Sequence, residues 1–160
     1  MVEPKGEYTF GQVGIGQAKR SVMAVSHADL RAYWTQTWGQ KYFAVNKDLV
    51  HRGVKIIRIF LADRVQLLDA VDIMRQQQEA GIQVLVAVTD EVPKELREDY
   101  LVQDDEVLVR VELTREGLER IELISVKPTD VRNALSRFQQ LCSLSITLDE
   151  FTVQTTCSIA

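Results

Sequence analysis

Chemistry in this chain would have to start from a few polar residues that follow valine- and isoleucine-rich runs. His27 closes SVMAVSH, Asp63 and Arg64 follow VKIIRIFLA, and Asp90 and Glu91 follow IQVLVAVT. An imidazole in such a place can serve as a general base or nucleophile, with Asp63, Asp90 or Arg58 as its partner. The same residues also have plainer uses. Asp29 and Asp63 stand where helix N-caps belong, and Asp90 and Glu91 suit a solvated loop. A half-buried histidine ring can simply bond to backbone. His51, beside Arg52 at the end of a helical pattern, suits the negative end of a helix dipole.

Arg58 interrupts the apolar run VKIIRIFL. Alternation in twos puts it on the face of Val54, Ile56 and Phe60. A buried charge needs a partner, so an internal ion pair or a stem reaching a sheet edge is expected. The sharper alternative is an anion site inside a cleft.

Other segments carry less. GQVGIGQAKR holds Gly14 and Gly16 but completes neither GxGxxG nor a Walker A pattern. Asp104, Asp105 and Glu106 in QDDE lack EF-hand spacing and read as a turn. Cys142 and Cys157 form no CxxC and have no histidine at ligand spacing, which points to two ordinary thiols. No metal and no cofactor is expected.

The elements that must position these residues follow from periodicity. The 160 residues suffice for one core, and 46% apolar with 26% charged residues is ordinary globular composition. Ser21 to His27 reads as a buried strand. Leu30, Tyr33, Trp34, Trp38, Tyr42, Val45 and Leu49 then form one helical stripe that ends at Gly53, with Gly39 as a bend or break. Val54 to Leu61 is the second strand. A helix capped by Asp63, with Gln66 three residues on, carries Leu67, Leu68, Val71 and Met74 up to Gly81. Ile82 to Val88 is the third strand. This succession predicts a parallel sheet with right-handed crossovers.

The rhythm then changes. EVLVRVEL and ERIELISV alternate in twos around TREG and read as an antiparallel hairpin that extends the sheet. Pro128 opens an amphipathic helix with Val131, Leu135, Phe138, Leu141 and Cys142 on its apolar side. The expected fold class is therefore α/β, with a mixed, mainly parallel sheet of three βα units, a β-hairpin and a C-terminal helix. One domain is expected over residues 1–147, with 148–160 as a weak strand or frayed tail.

The succession AKRSVMAVSH, NKDLVHRGVKIIRIFL, EAGIQVLVAV and EDYLVQDDEVLVRVEL resembles one half of the phospholipase D superfamily fold, from about Ala18 to Leu144. It is most similar to the truncated, single-repeat relatives in bacterial signalling and regulatory proteins. That family carries HxKxxxxD on a β-hairpin: the histidine is the nucleophile, the lysine holds phosphate and the aspartate orients the ring. The equivalent segment from Tyr100 to Val109 has no histidine or lysine. Only Asp104 or Asp105 matches the residue type at the motif's end. Transfer through phosphohistidine fails without its nucleophile, so the resemblance implies a retained scaffold without that chemistry.

The leading expectation is a non-catalytic regulatory domain that senses a small ligand or binds a signalling protein. Its candidate ligand contacts are His27, Trp34, Arg58, Asp63, Arg64, Asp90 and Asp104. Trp34, Trp38, Tyr42 and Phe43 are more aromatics than one narrow stripe buries, which leaves one or two for a pocket or partner. The alternative is a hydrolase or phosphodiesterase that uses His27. In the complete superfamily fold two halves pack about a pseudo-twofold axis, so a single half implies a homodimer. A small anionic ligand is also expected. The net charge of −4 weighs against direct nucleic-acid contact. No apolar run approaches the ~20 residues of a membrane span, and MVEPKGEYTFGQ lacks signal-peptide features, so a cytoplasmic location is expected.

Overall fold

Three valine- and isoleucine-rich segments lie side by side and parallel: β1 (Ser21–His27), β2 (Lys55–Ala62) and β3 (Gln83–Val88). The computed structural model describes residues 14–27, 29–113 and 120–158. Val25 pairs with Ile59, and Ile59 with Leu85. The last five residues of β2 are all buried, as expected of a parallel strand covered on both faces.

Antiparallel strands extend both sides. β4 (Asp99–Gln103) pairs with β1, β5 (Val107–Leu113) with β4, and β6 (Arg120–Ser125) with β5. β7 (Ile146–Thr147) pairs with β3, giving the order β6-β5-β4-β1-β2-β3-β7. The expected β5–β6 hairpin forms, while its TREG turn lies outside the described residues. Periodicity alone did not reveal β4, because DYLVQ is short and sits between acidic residues.

Alternation along β2 separates two cores. Ile56, Arg58 and Phe60 face one side, and Ile59 and Leu61 face the other. The first face is covered by α1 (Leu30–Thr35), α2 (Thr37–His51), α3 (Arg64–Asp69), α4 (Val71–Glu79) and α6 (Leu148–Ser158). The second is covered by α5 (Pro128–Ser143), through Val131, Ala134, Phe138 and Leu141.

The single helix expected between Asp63 and Gly81 is two, α3 and α4, parted at Ala70. Three further local expectations need correction. The stripe from Leu30 to Leu49 is two helices, broken at extended Gln36 rather than at Gly39. Gly39 instead permits a close approach: a Cβ there would lie 2.2 Å from the Tyr33 carbonyl oxygen and 2.7 Å from Trp34 Cα. Asp29 occupies the N-cap position of α1 but is left-handed, with φ 42, and its side chain caps nothing. Asp63 does cap α3, accepting from the Gln66 N–H at 2.8 Å.

The third concerns residues 148–158, which form α6 instead of a weak strand or frayed tail. Threonine and valine lower the helix propensity of LDEFTVQTTCS. Tertiary packing overrides that, because Leu148 and Phe151 are fully buried in the first core. A capping box starts the helix. The Glu150 N–H donates to Thr147 Oγ1 at 3.1 Å, and the Thr147 N–H to Glu150 Oε2 at 3.0 Å.

Candidate functional site

A strand-end cleft of about 440 Å³ opens where β1 finishes and antiparallel β4 begins. Ala24, Leu101 and Val109 contribute apolar lining from three adjacent strands. Tyr33, Trp34 and Tyr42 add aromatic surface from α1 and α2. The rim is charged: Asp29, Glu98, Asp99, Glu112 and Glu122 stand against Arg97 and Arg110. An apolar floor with a few convergent polar groups is the usual character of a small-molecule site.

His27 lies in this cleft, half-buried. Its Nδ1 is 3.0 Å from the Leu61 carbonyl oxygen, to which a protonated Nδ1 donates. That bond fixes the tautomer and leaves Nε2 as an acceptor. Arg97 is held in place by donating from Nε to the Val92 carbonyl at 2.8 Å. Glu98 sits between Arg137 at 3.1 Å and Arg110 at 3.9 Å. Tyr100 is buried where β4 begins, and desolvation pushes its hydroxyl up to about 12, so it stays a neutral phenol.

Arg58 does not enter the cleft. It is fully buried behind the aromatic wall, with Cζ 4.7 Å from the Trp34 ring centroid and 5.0 Å from that of Tyr42. Nη1 donates to Gln77 Oε1 at 2.6 Å. Nη2 donates to Tyr42 Oη at 3.1 Å and, more weakly, to Asn46 Oδ1 at 3.4 Å. Neither the expected ion pair nor the stem reaching an edge is present. Among the described residues this guanidinium has neutral partners only.

The remaining candidates are dispersed. Asp63, Arg64 and Asp90 follow β2 and β3, outside the cleft lining. Asp63 caps α3, Arg64 lies 4.0 Å from Glu91 and 5.9 Å from the Phe151 ring, and Asp90 is exposed in a 3-10 turn. Asp104 is at the opposite end of the sheet. Its carboxylate accepts the backbone N–H groups of Lys19, Arg20 and Ser21, with the Arg20 bond at 2.7 Å. Burial by itself would raise that carboxyl; the three N–H bonds and the Arg20 charge outweigh it and hold it below the usual carboxylate range.

The structure thus brings His27 and Trp34 together in one cleft and separates the other five. Sequence reasoning missed the contributions of β4, the residues just before it and β5, namely Arg97 to Tyr100, Arg110 and Glu112. One signal could have found two of them: counting back from Asp104 by the HxKxxxxD spacing gives Arg97 and Asp99. Among the described residues no group of three histidine, cysteine, aspartate or glutamate side chains could hold a metal ion. No helix among them is long and apolar enough to cross a membrane.

No protein-family model matches this chain, and no curated protein matches it. Solved structures do. Nuc from Salmonella typhimurium, a phospholipase D family member, is similar at 14% identity and a TM-score of 0.62, over 85% of this chain and 86% of that one. TrmBL2, an archaeal chromatin protein that binds DNA, is similar at 11% identity and a TM-score of 0.58, over 85% of this chain. The match covers 48% of TrmBL2, about half its length. At such identities the likeness concerns architecture, and the architecture of this chain is phospholipase D-like.

Proposed function

We propose that the chain is a non-catalytic regulatory domain that binds a small ligand in the strand-end cleft. One observation carries this reading. With Asp104 as the end of HxKxxxxD, the nucleophile position is Arg97 and the phosphate-holding position is Asp99, and both line the cleft. A guanidinium is no nucleophile at neutral pH, and a carboxylate repels a phosphodiester. On this reading the cleft lacks the two reacting groups of the motif.

The rim's excess of carboxylates over arginines and the aromatic wall favour a neutral or cationic ligand here over an anionic one. Titration of the purified protein with neutral, cationic and anionic small-molecule panels, followed by Tm and by amide NMR shifts, tests the reading. Perturbation of Tyr33, Tyr100 and Arg110 by a neutral or cationic compound supports it. Shifts confined to other surfaces, or silence across the panels, reject it.

A hydrolase is the second reading, favoured by the place of His27 in the lining of the same cleft. Phosphodiester and ester turnover abolished by His27→Ala, and retained in Val65→Ala on the exposed side of α3, would establish it. A homodimer built from two such halves, in a cytoplasmic signalling setting and without direct DNA contact, completes the proposal. A monomer in sedimentation at high micromolar concentration, or a salt-dependent shift of labelled duplex, would remove the corresponding part.

A further inference from the structure

Arg58 carries a full charge in the interior, and among the described residues its Nε–H has no acceptor. Two neighbours share that condition. Trp34 Nε1 and Gln77 Nε2 are buried donors without a partner among the described residues, on side chains 2% and 1% exposed. Gln77 cannot be relieved by turning its amide over. Its Oε1 already accepts from Arg58 Nη1 at 2.6 Å, and the reversed group would set donor against donor. Among the described residues the cluster therefore combines three orphan donors with one positive charge, and its partners there are neutral.

Trp34 and Gln77 line a second cavity, of about 130 Å³, between α1, α2 and α4, along with Gln40, Phe43 and Ile73. Its mouth holds Arg31 and Asp72, paired at 2.5 Å; Arg31 is shared with Asp69 at 2.9 Å, so the mouth offers an anion no net positive charge and the attraction must come from Arg58. The volume equals about four waters at ~30 Å³ each. Water could accept from an orphan donor, but it would leave the guanidinium uncompensated, and buried charges are ordinarily paired. An occupant that only accepts hydrogen bonds and carries one negative charge meets both needs.

We propose that this pocket, open to solvent between the helices, is a binding site for a small monoanion, a halide or the carboxylate of a very small acid, held at its buried end by Trp34 and Gln77 in the field of Arg58. The site is separate from the strand-end cleft and does not depend on the function proposed for it. Only the Trp34 ring is common to both.

The test uses the full chain prepared in sodium gluconate, whose anion is too bulky for the cavity. Bromide and acetate are titrated in at constant ionic strength. Tm should rise with the logarithm of anion concentration, and crystals grown in bromide should show an anomalous peak within hydrogen-bonding distance of Trp34 Nε1 or Gln77 Nε2. Trp34→Phe and Gln77→Leu should each raise the half-saturating concentration about tenfold, the scale of one charge-assisted hydrogen bond. Trp38→Phe, at an exposed indole, should leave it unchanged. Acetate acting at lower concentration than bromide would identify a carboxylate as the preferred occupant, and the reverse a halide. Coincident curves in bromide, acetate and gluconate, with no anomalous peak, would overturn the proposal. So would a bromide response that survives both cavity substitutions. Should those variants fail to fold, the bromide map of the unsubstituted protein decides.

Discussion

The backbone N–H of Arg20 donates to the Asp104 carboxylate at 2.7 Å, which ties the β4–β5 turn to the start of β1. Lys19 and Ser21 donate to the same carboxylate, so a single side chain satisfies three consecutive N–H groups where β1 begins. Asp104 and Asp105 are both left-handed, at φ 53 and φ 58, as a tight hairpin turn requires. The aspartate that matches the family motif by type is, in this fold, a structural clamp.

Replacing Asp104 should accordingly cost stability and alter its pH dependence. Asp104→Ala leaves three N–H groups without this acceptor and should lose about 2–3 kcal/mol; Asp104→Asn, with one oxygen left, should lose less. Because the folded carboxyl is held below its unfolded value, its contribution is fully present above the unfolded value near 3.9. It disappears as pH falls through the folded value. Urea titrations from pH 7 to pH 2 should show a constant gap between the natural protein and Asp104→Asn down to about pH 5, then convergence in acid. A gap independent of pH would contradict the clamp.

Arg58 should behave as part of a polar network and not as an isolated charge. Arg58→Met leaves Gln77 Oε1 without the donor it now has, and removes a donor from Tyr42 Oη and Asn46 Oδ1. A loss of about 2–4 kcal/mol is expected. Adding Gln77→Leu should return part of it, with a coupling of about 1–2 kcal/mol in a double-mutant cycle read by denaturant unfolding. Strict additivity would show that the two side chains do not act together.

Gly39 and Gly53 should respond differently to alanine. At Gly39 the new Cβ meets rigid backbone at 2.2 Å, so α1 and α2 must separate, and Gly39→Ala should cost at least ~3 kcal/mol or prevent folding. At Gly53 nothing lies within 4 Å, and only the left-handed φ of +87 is strained. Gly53→Ala should lose about 1–2 kcal/mol. Equal Tm shifts in the two variants would refute the close-approach account.

The last helix should prove integral to the core. Phe151→Ala empties a fully buried site and should cost about 3–5 kcal/mol. Ending the chain after Thr147 should abolish cooperative unfolding, since it uncovers the first core where Leu148 and Phe151 pack. A truncated chain with unchanged Tm would restore the reading of residues 148–160 as a tail.

Much of the scaffold was already legible in the amino-acid order. Buried parallel strands are mostly apolar runs, which is why β1, β2 and β3 stand out to within a residue even with Arg58 inside β2. Period-two alternation correctly assigned Arg58 to the face of Ile56 and Phe60. Where competing propensities were close, local pattern was insufficient. Nothing in LRAYWTQTWGQ marks Gln36 as the break, and the threonines of α6 obscured a helix that exists because Leu148 and Phe151 have a core to enter. Assembly of the cleft was further out of reach. β4 lies next to β1 only after a chain excursion of some seventy residues, and that antiparallel insertion sets Arg97 and Tyr100 beside His27. The same holds for the interior donors. A sequence shows that an arginine is buried, but only three-dimensional packing decided that its partners would be a glutamine, a tyrosine and an asparagine, with no carboxylate among them.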